Sequence, residues 1–257
     1  MPGKLPTRQI GRNGPEVPAL GLGTMGLSGY YGAIDDDETC FKFLDRAYEL
    51  GATLWDTADI YGDSEELLGK WFKRTGKREE IFLVTKSWKY QTQRSLRALR
   101  RHHPPRPRRP PPRLRTDGIL PFSMDIESPA TDILRTCREL GICIVAYSPM
   151  GRGFFIGAYR SPDDFEEGDL RRALPRLAAE NFARNLEMMD ELRRVADREG
   201  VTVGQLTLAW LLAQGEDILP IPGTRRVGNL EENFGALEVR LGEETVREVR
   251  GIVERAT

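Results

Sequence analysis

An acid, a phenol and an amine stand close together in the stretch Thr53 to Lys86, which reads as strand, helix, strand. Thr53-Leu54-Trp55 is a short apolar strand pattern ending at Asp56, and Tyr61 follows in the loop. Ser64-Glu65-Glu66 opens a helix whose apolar side carries Leu67, Leu68 and Trp71, and Ile81-Phe82-Leu83-Val84 is a second strand that ends at Lys86. Loops after the strands of a parallel β/α barrel form its active face, so neighbouring strands would bring Asp56, Tyr61 and Lys86 together there. The chemistry on offer is proton donation to a carbonyl. A free tyrosine, with a pKa near ~10, is protonated at neutral pH but a sluggish acid. A nearby ammonium stabilises the phenolate and lowers that pKa, while a carboxylate keeps the ammonium charged and oriented. The trio lacks a nucleophile, which a hydride from reduced nicotinamide would supply. Taken singly, the three are a turn cap, a packed loop aromatic and a solvated strand end; only the ordered string carries weight.

That string, D-x-A-x-x-Y-G-x-S-E-x-x-L-G from Asp56 to Gly69 with a lysine ending the next strand, resembles the aldo-keto reductase family. The resemblance implies an α/β fold of the (β/α)8 TIM-barrel type. It also implies that Tyr61 is the general acid, that Lys86 tunes it, and that Asp56 pairs with Lys86 and borders the cofactor. It covers Leu5 to Lys86 and Ser123 to Thr257.

Several elements must position these groups. Leu5 to Leu22 reads as a hairpin turning at Asn13-Gly14 and feeding a first strand; the resemblance makes it the plug of the barrel floor. Gly21-Leu22-Gly23-Thr24-Met25-Gly26 fits G-x-G-x-x-G, but a dinucleotide fingerprint needs a helix to begin among its glycines. Here Gly29-Tyr30-Tyr31-Gly32 prolongs a loop, and a helix over Asp37 to Leu50, with Phe41, Leu44, Ala47 and Tyr48 inward and Gly51 as its stop, comes later. The Rossmann reading is rejected, and the resemblance instead puts Gly23, Thr24 and Met25 against the cofactor. Downstream, a helix opening near Pro129 carries Ile133, Leu134, Cys137 and Leu140, and Ile142 to Tyr147 is a buried strand. Ser148-Pro149-Met150-Gly151-Arg152-Gly153 follows it. Backbone N–H groups of such a loop can cradle a pyrophosphate, with Arg152 adding charge. By resemblance Tyr147 stacks on the nicotinamide and the loop Phe154 to Pro175 folds over the cofactor.

Helices over Phe182 to Glu199 and Thr202 to Gln214 precede a last strand, Ile218 to Pro222, which runs into Gly223-Thr224-Arg225-Arg226 and a helix starting near Val227. A guanidinium binds a phosphate monoester bidentately, and a helix start adds N–H donors. Arg225 and Arg226 therefore favour NADP over NAD, with Gly223, Thr224 and Asn229 beside them. Glu232 and Asn233 hold the adenine edge by resemblance. A solvated arginine pair on a charged helix is the bland alternative.

Ser87 to Thr116 breaks the pattern, and His102 to Pro112 is only His, Pro and Arg. So many prolines exclude helix and central strand, and repelling arginines with little apolar surface leave residues 87–118 disordered or polyproline-like. Without interleaved aromatics it is a poor nucleic-acid arm, and as a P-x-x-P ligand it is equally weak. In the resembled family three more strands belong here, so the preferred reading is an altered transcript or mispredicted exon that removed the barrel's middle. The substrate-orienting histidine belongs to that interval, and His102 and His103 do not match its setting. Five family strands, with a remnant near Ile119 to Phe122, do not obviously close.

The chain of 257 residues suits one large domain. Its net charge of −1 gives no global reason for nucleic acid or an anionic membrane as partner. Three cysteines without C-x-x-C spacing (Cys40, Cys137, Cys143) read as reduced structural thiols, no metal site is suggested, and no apolar run spans a membrane or marks a secretory signal. The expected setting is the cytoplasm, with a small carbonyl compound as partner and the oligomeric state open.

Overall fold

Short strands with apolar residues on both faces require a sheet covered on both sides, and the chain uses them as a parallel arc. The structure is a computed structural model that describes residues 4–86, 114–117, 124–128, 132–157 and 159–256. A hairpin comes first, β1 (Thr7–Gln9) against β2 (Glu16–Pro18), antiparallel, with Asn13 at its turn in the left-handed region (φ 64°). Then β3 (Leu22–Gly23), β4 (Leu54–Ala58) and β5 (Phe82–Lys86) form one parallel sheet. A second contains β6 (Leu114–Asp117), β7 (Cys143–Tyr147) and β8 (Ile218–Ile221). Gly21 N–H donates to the Pro220 carbonyl at 2.9 Å and Gly23 N–H to that of Pro222 at 3.1 Å, joining the sheets edge to edge. The arc thus runs β5-β4-β3-β8-β7-β6. Among the described residues no strand pairs with the outer edges of β5 or β6, so the six strands form an open arc of TIM-barrel wall.

Two strand boundaries differ from expectation. Pairing carries β4 to Ala58, so Asp56 lies inside its strand rather than at its end, while β5 ends at Lys86 as expected, in register with β4. The parallel ladder holds the backbone extended past the point where apolar character stops. The second difference is β6, which falls inside the stretch 87–118 expected to lack structure. Its backbone pairs Leu114–Asp117 with Cys143–Ala146, and an available strand edge outweighs local composition there. Residues 87–113 and the strand remnant expected at 119–122 lie outside the described residues.

Alternation along the strands decides what faces in. Leu54, Val84, Cys143, Val145, Leu219 and Ile221 point into the barrel, where Ile10 and Val17 close the floor as the hairpin plug. The buried Arg8 guanidinium fastens that plug, donating to the carbonyls of Leu212 (2.7 Å), Gly215 (2.9 Å) and Ile218. Outward residues such as Trp55, Ile144 and Ile218 join the helix layer.

The helices are α1 (Asp37–Glu49), α2 (Ser64–Thr75), α3 (Ile133–Leu140), α4 (Ala179–Glu199), α5 (Val203–Ala213), α6 (Val227–Gly235) and α7 (Glu243–Ala256). Asp36 caps α1 by accepting from Thr39 N–H at 2.8 Å. Its buried side is Cys40, Phe43, Leu44, Ala47 and Tyr48; Phe41, expected inward, lies at the flank under Arg74. Thr202 and Gln205 form a reciprocal capping box on α5. Helix α3 starts at Ile133, and Pro129 lies outside the described residues. Cys40, Cys137 and Cys143 are buried and form no disulfide.

Helix α2 is pinned by aromatics: Trp71 lies 4.8 Å from Trp55 of β4 and 6.2 Å from Tyr48 of α1, ring centre to ring centre, and its indole donates to Asp45 at 2.9 Å. Trp71→Ala should therefore cost ~3–5 kcal/mol of stability, read as a lowered urea midpoint. An unchanged midpoint would mean that α2 is not held by this contact.

Candidate active site

Register puts the first two reactive groups together. Asp56 pairs with Val84 and Ala58 with Lys86, so Asp56 and Lys86 share the inward face near the carboxyl ends of adjacent strands. Asp56 is only 2% exposed. Its Oδ1 accepts from Lys86 Nζ, which also donates to the Thr57 carbonyl at 2.8 Å. Burial pushes the Asp56 carboxyl above the usual carboxylate range, and the charge and hydrogen bond of Lys86 pull it back only in part. The other oxygen, Oδ2, is buried without a hydrogen-bond partner.

Tyr61 sits in the tight turn between β4 and α2, with its N–H on the Ala58 carbonyl (3.1 Å) and its carbonyl accepting from Ser64 N–H (3.0 Å). Gly62 follows at φ 56°, where a Cβ would meet the Ser28 carbonyl oxygen at 2.7 Å. The glycine after the tyrosine is thus a requirement of the turn. Lys86 Nζ lies over the Tyr61 ring, 5.0 Å from its centre.

The phenol's acidity corrects an expectation. Burial first, then the charge of Asp56 and the neighbouring Tyr31, Tyr30 and Tyr147, push Tyr61 up to about 12. The lysine was expected to lower it. Lys86 instead has its charge matched by Asp56 in direct contact, which leaves little field to favour a phenolate. Tyr61 is therefore firmly protonated at neutral pH, the form a proton donor needs, and gives its proton only to a strong base such as an alkoxide.

The site opens into a cleft of about 660 Å³. Of the residues singled out by sequence, Gly23, Met25, Asp56, Tyr61, Tyr147, Ser148, Pro149, Met150, Arg152, Gly153, Gly223, Thr224, Arg225, Arg226 and Asn229 line it. Five do not. Thr24 is fully buried, and its hydroxyl donates to the Asp56 carbonyl at 3.0 Å and contacts Ser64 Oγ at 2.9 Å; it braces the site from behind. Lys86 lies behind the Tyr61 ring. Gly151 is buried in its own turn. Glu232 accepts from Thr202 Oγ1, at the start of α5, at 2.7 Å, and Asn233 is buried.

Sequence reasoning missed two parts. One is a buried hydroxyl chain, Thr24–Ser64–Thr57, with Thr57 Oγ1 2.9 Å from Ser64 Oγ. The other is a wall of Tyr30, Tyr31 and Ile60, which lines the cleft together with Ile156, Tyr159 and Arg171 of the stretch expected over the cofactor. The tyrosine pair between glycines was a signal passed over as mere loop.

Two cationic features line the same cleft. After β7, Ser148 (φ 51°), Gly151 (φ 54°), Arg152 (φ 57°) and Gly153 (φ 88°) are all left-handed, a conformation costly for Ser and Arg and typical of ligand loops. Arg226 caps α6 without a side-chain bond, its N–H instead donating to Thr224 Oγ1 at 3.2 Å. Arg225 is steadied by the Ala33 carbonyl. Arginines at a helix start make an anion site. Among the described residues no cluster of His, Cys, Asp and Glu could hold a metal, and no helix is long and apolar enough to cross a membrane.

Removing Lys86 should expose the cost of burying Asp56. The folded carboxyl already sits above its unfolded value, so Asp56 favours folding least at high pH, and without the ammonium this worsens. Lys86→Met is expected to lose ~3–5 kcal/mol near pH 8 and much less near pH 5, where the carboxyl can protonate. Denaturant melts at both pH values check it; equal losses would show that the pair does not depend on charge.

The model of the Aldo/keto reductase family matches residues 19–103 and 121–254. The "Aldo-keto reductase str7" of Strobilurus tenacellus is 39% identical, over 98% of this chain and 93% of its own length. The aldo-keto reductase yakc of Schizosaccharomyces pombe, named as an NADP(+) enzyme, is 39% identical over 98% of this chain and 92% of its own. Both alignments run over 318 positions for a chain of 257 residues; the excess can only be residues those relatives carry and this chain lacks. Among solved structures, a thermostable aldo-keto reductase bound to the inhibitor epalrestat is similar with a TM-score of 0.72 and 26% identity, over 96% of this chain and 100% of that one. A glycerol dehydrogenase from Gluconobacter oxydans shares the fold, with a TM-score of 0.70 and 21% identity over 97% and 95%.

Proposed function

The chain belongs to the aldo/keto reductase family, and on that premise we propose that it is an NADP-dependent oxidoreductase that reduces an aldehyde or ketone to an alcohol. The observation that carries this reading is one cleft lined both by a protonated phenol backed by the Asp56–Lys86 pair and by Arg152, Arg225 and Arg226. That donor set fits a phosphorylated dinucleotide. The left-handed turn Ser148–Gly153 suits the pyrophosphate, and Arg225 and Arg226 at the start of α6, with Gly223, Thr224 and Asn229, suit a 2′-phosphate. Tyr147 is the platform for the nicotinamide, with Gly23 and Met25 beside it. Bound there, NADPH supplies the hydride that the residues themselves lack.

Tyr61 acts as the general acid. As the carbonyl carbon gains the hydride, its oxygen gains charge and takes the phenolic proton, a transfer downhill to an alkoxide. Lys86 lies over the ring of the phenolate left behind, and Asp56 holds that ammonium in place. Solvent afterwards restores the proton. We assign the function to one domain spanning the whole chain, with 87–118 as its aberrant part, working in the cytoplasm on a small carbonyl compound.

A second reading has its own observation. The family match breaks at 104–120, and relatives carry residues that this chain lacks, which supports a nucleotide-binding remnant with impaired turnover. Titrating NADPH against the purified protein and then adding a panel of aldehydes and ketones separates the two. The enzyme reading expects binding and carbonyl-dependent NADPH oxidation, with Tyr61→Phe keeping the binding and losing ~10²–10⁴-fold in kcat/KM. Binding without oxidation favours the remnant. Absence of binding overturns both.

A further inference from the structure

A run of 3-10 turns, Gly151–Ile156, Pro162–Asp164, Leu170–Ala173 and Pro175–Leu177, arches beside the cleft, and within it a charged side chain is withdrawn from water. Arg171 is 8% exposed and Asp169 4%. The Asp169 carboxylate accepts from Arg171 Nε at 3.0 Å and from Nη2 at 2.6 Å, a two-point grip in fork geometry. The rings of Tyr159, Phe165 and Tyr31 lie 4.6, 4.8 and 5.1 Å from the guanidinium carbon. Nη1 donates to Tyr159 Oη at 2.8 Å and to the Arg152 carbonyl at 3.2 Å. A buried ion pair contributes little net stability against an apolar substitute, so its partners are the informative feature.

Those partners belong to three separate pieces of the site. Tyr159, Phe165 and Asp169 are in the arch itself. Arg152 is in the left-handed turn after β7. Tyr31 is on the loop after β3, and the same contact line continues: Leu170 N–H donates to the Tyr30 carbonyl at 3.4 Å, and Tyr30 meets the Tyr61 ring edge-on at 6.2 Å and 77°. One guanidinium thus touches the arch, the turn suited to phosphate and the wall beside the reacting phenol.

We propose that Arg171 is a positioning residue that latches the arch across the cofactor cleft and, through Arg152 and Tyr31, sets the phosphate turn and the Tyr30–Tyr31 wall together. The proposal rests on the reading that the cleft takes NADP(H). Arg171 touches no reacting atom. Asp169, Tyr159 and Phe165 hold the guanidinium within the arch, and cofactor release requires it to leave the Arg152 carbonyl and the Tyr31 ring, which also frees the wall that confines the carbonyl compound next to Tyr61. Cofactor residence and substrate affinity are therefore coupled through one side chain.

Stopped-flow fluorescence of NADPH release, with chymotrypsin cleavage after Phe165 as a cofactor-free readout, tests it. In Arg171→Gln, release should be about tenfold faster, as expected for losing one charged anchor. Binding should slow little, and the KM for the carbonyl compound should rise more than kcat falls. Phe165, buried in the wild type, should be cut faster although the melting curve of the whole chain is retained. Arg171→Lys keeps the charge but loses the fork and the stacking, and should fall between. Asp169→Asn should act in the same direction with the arginine still present, so the proposal stays testable should Arg171→Gln fail to fold. If the wild type binds NADPH but these variants release it at the wild-type rate and resist chymotrypsin as it does, the latch is wrong and the cofactor reading stands. If the wild type does not bind NADPH, both fall together.

Discussion

A carboxylate shut inside a barrel is tolerable only with a cation against it, and Asp56 has Lys86. Much of the site follows from that one pairing. Asp56 is on the inward face because β4 alternates, and Lys86 reaches it because β5 is paired in parallel register over its whole length. The ammonium, held by the carboxylate and the Thr57 carbonyl, has one remaining direction, toward the ring of Tyr61. The tyrosine meets it because the turn at Gly62 leaves its side chain no other course. Behind them the Thr24–Ser64–Thr57 hydroxyls tie β3's loop, β4 and α2 into one rigid support.

The pairing also determines what kind of acid Tyr61 is. A free ammonium beside a phenol would make it acidic, whereas one already neutralised by a buried carboxylate does not. The result is a donor that stays loaded across the physiological range. It lets go only when charge appears on a substrate oxygen. Arg152, Arg225 and Arg226 line the same cleft, by the left-handed turn and the start of α6, where they suit phosphates.

The strand–helix–strand core of this site was legible in the sequence because its constraints are local. The order of Asp56, Tyr61, Gly62, Ser64 and Lys86 encodes a turn and a register, and both are found as expected, with the end of β4 alone misplaced. The post-strand loop at Tyr147 and the arginines at 225 and 226 were legible for the same reason. What could not be read depends on distant contacts. Thr24 turns inward to hydroxyls far along the chain, Glu232 binds the start of α5, Asn233 is buried, and Tyr31 in the wall lies against the distant Arg171. The strand Leu114–Asp117 was hidden in an arginine- and proline-rich context, since the edge of β7 that organises it comes later in the chain. Tyr61's acidity was misjudged because spacing predicts a neighbour but not how far that neighbour is already neutralised.

The central claim is that burial beside a matched ion pair, not activation by lysine, governs the reacting phenol. Its most direct test is a pH titration of that phenol by NMR in the free protein, taken as the difference between wild type and Tyr61→Phe. The account predicts that Tyr61 stays protonated well beyond the ordinary ~10, ionising only at about 12. Ionisation at or below the ordinary value would contradict it.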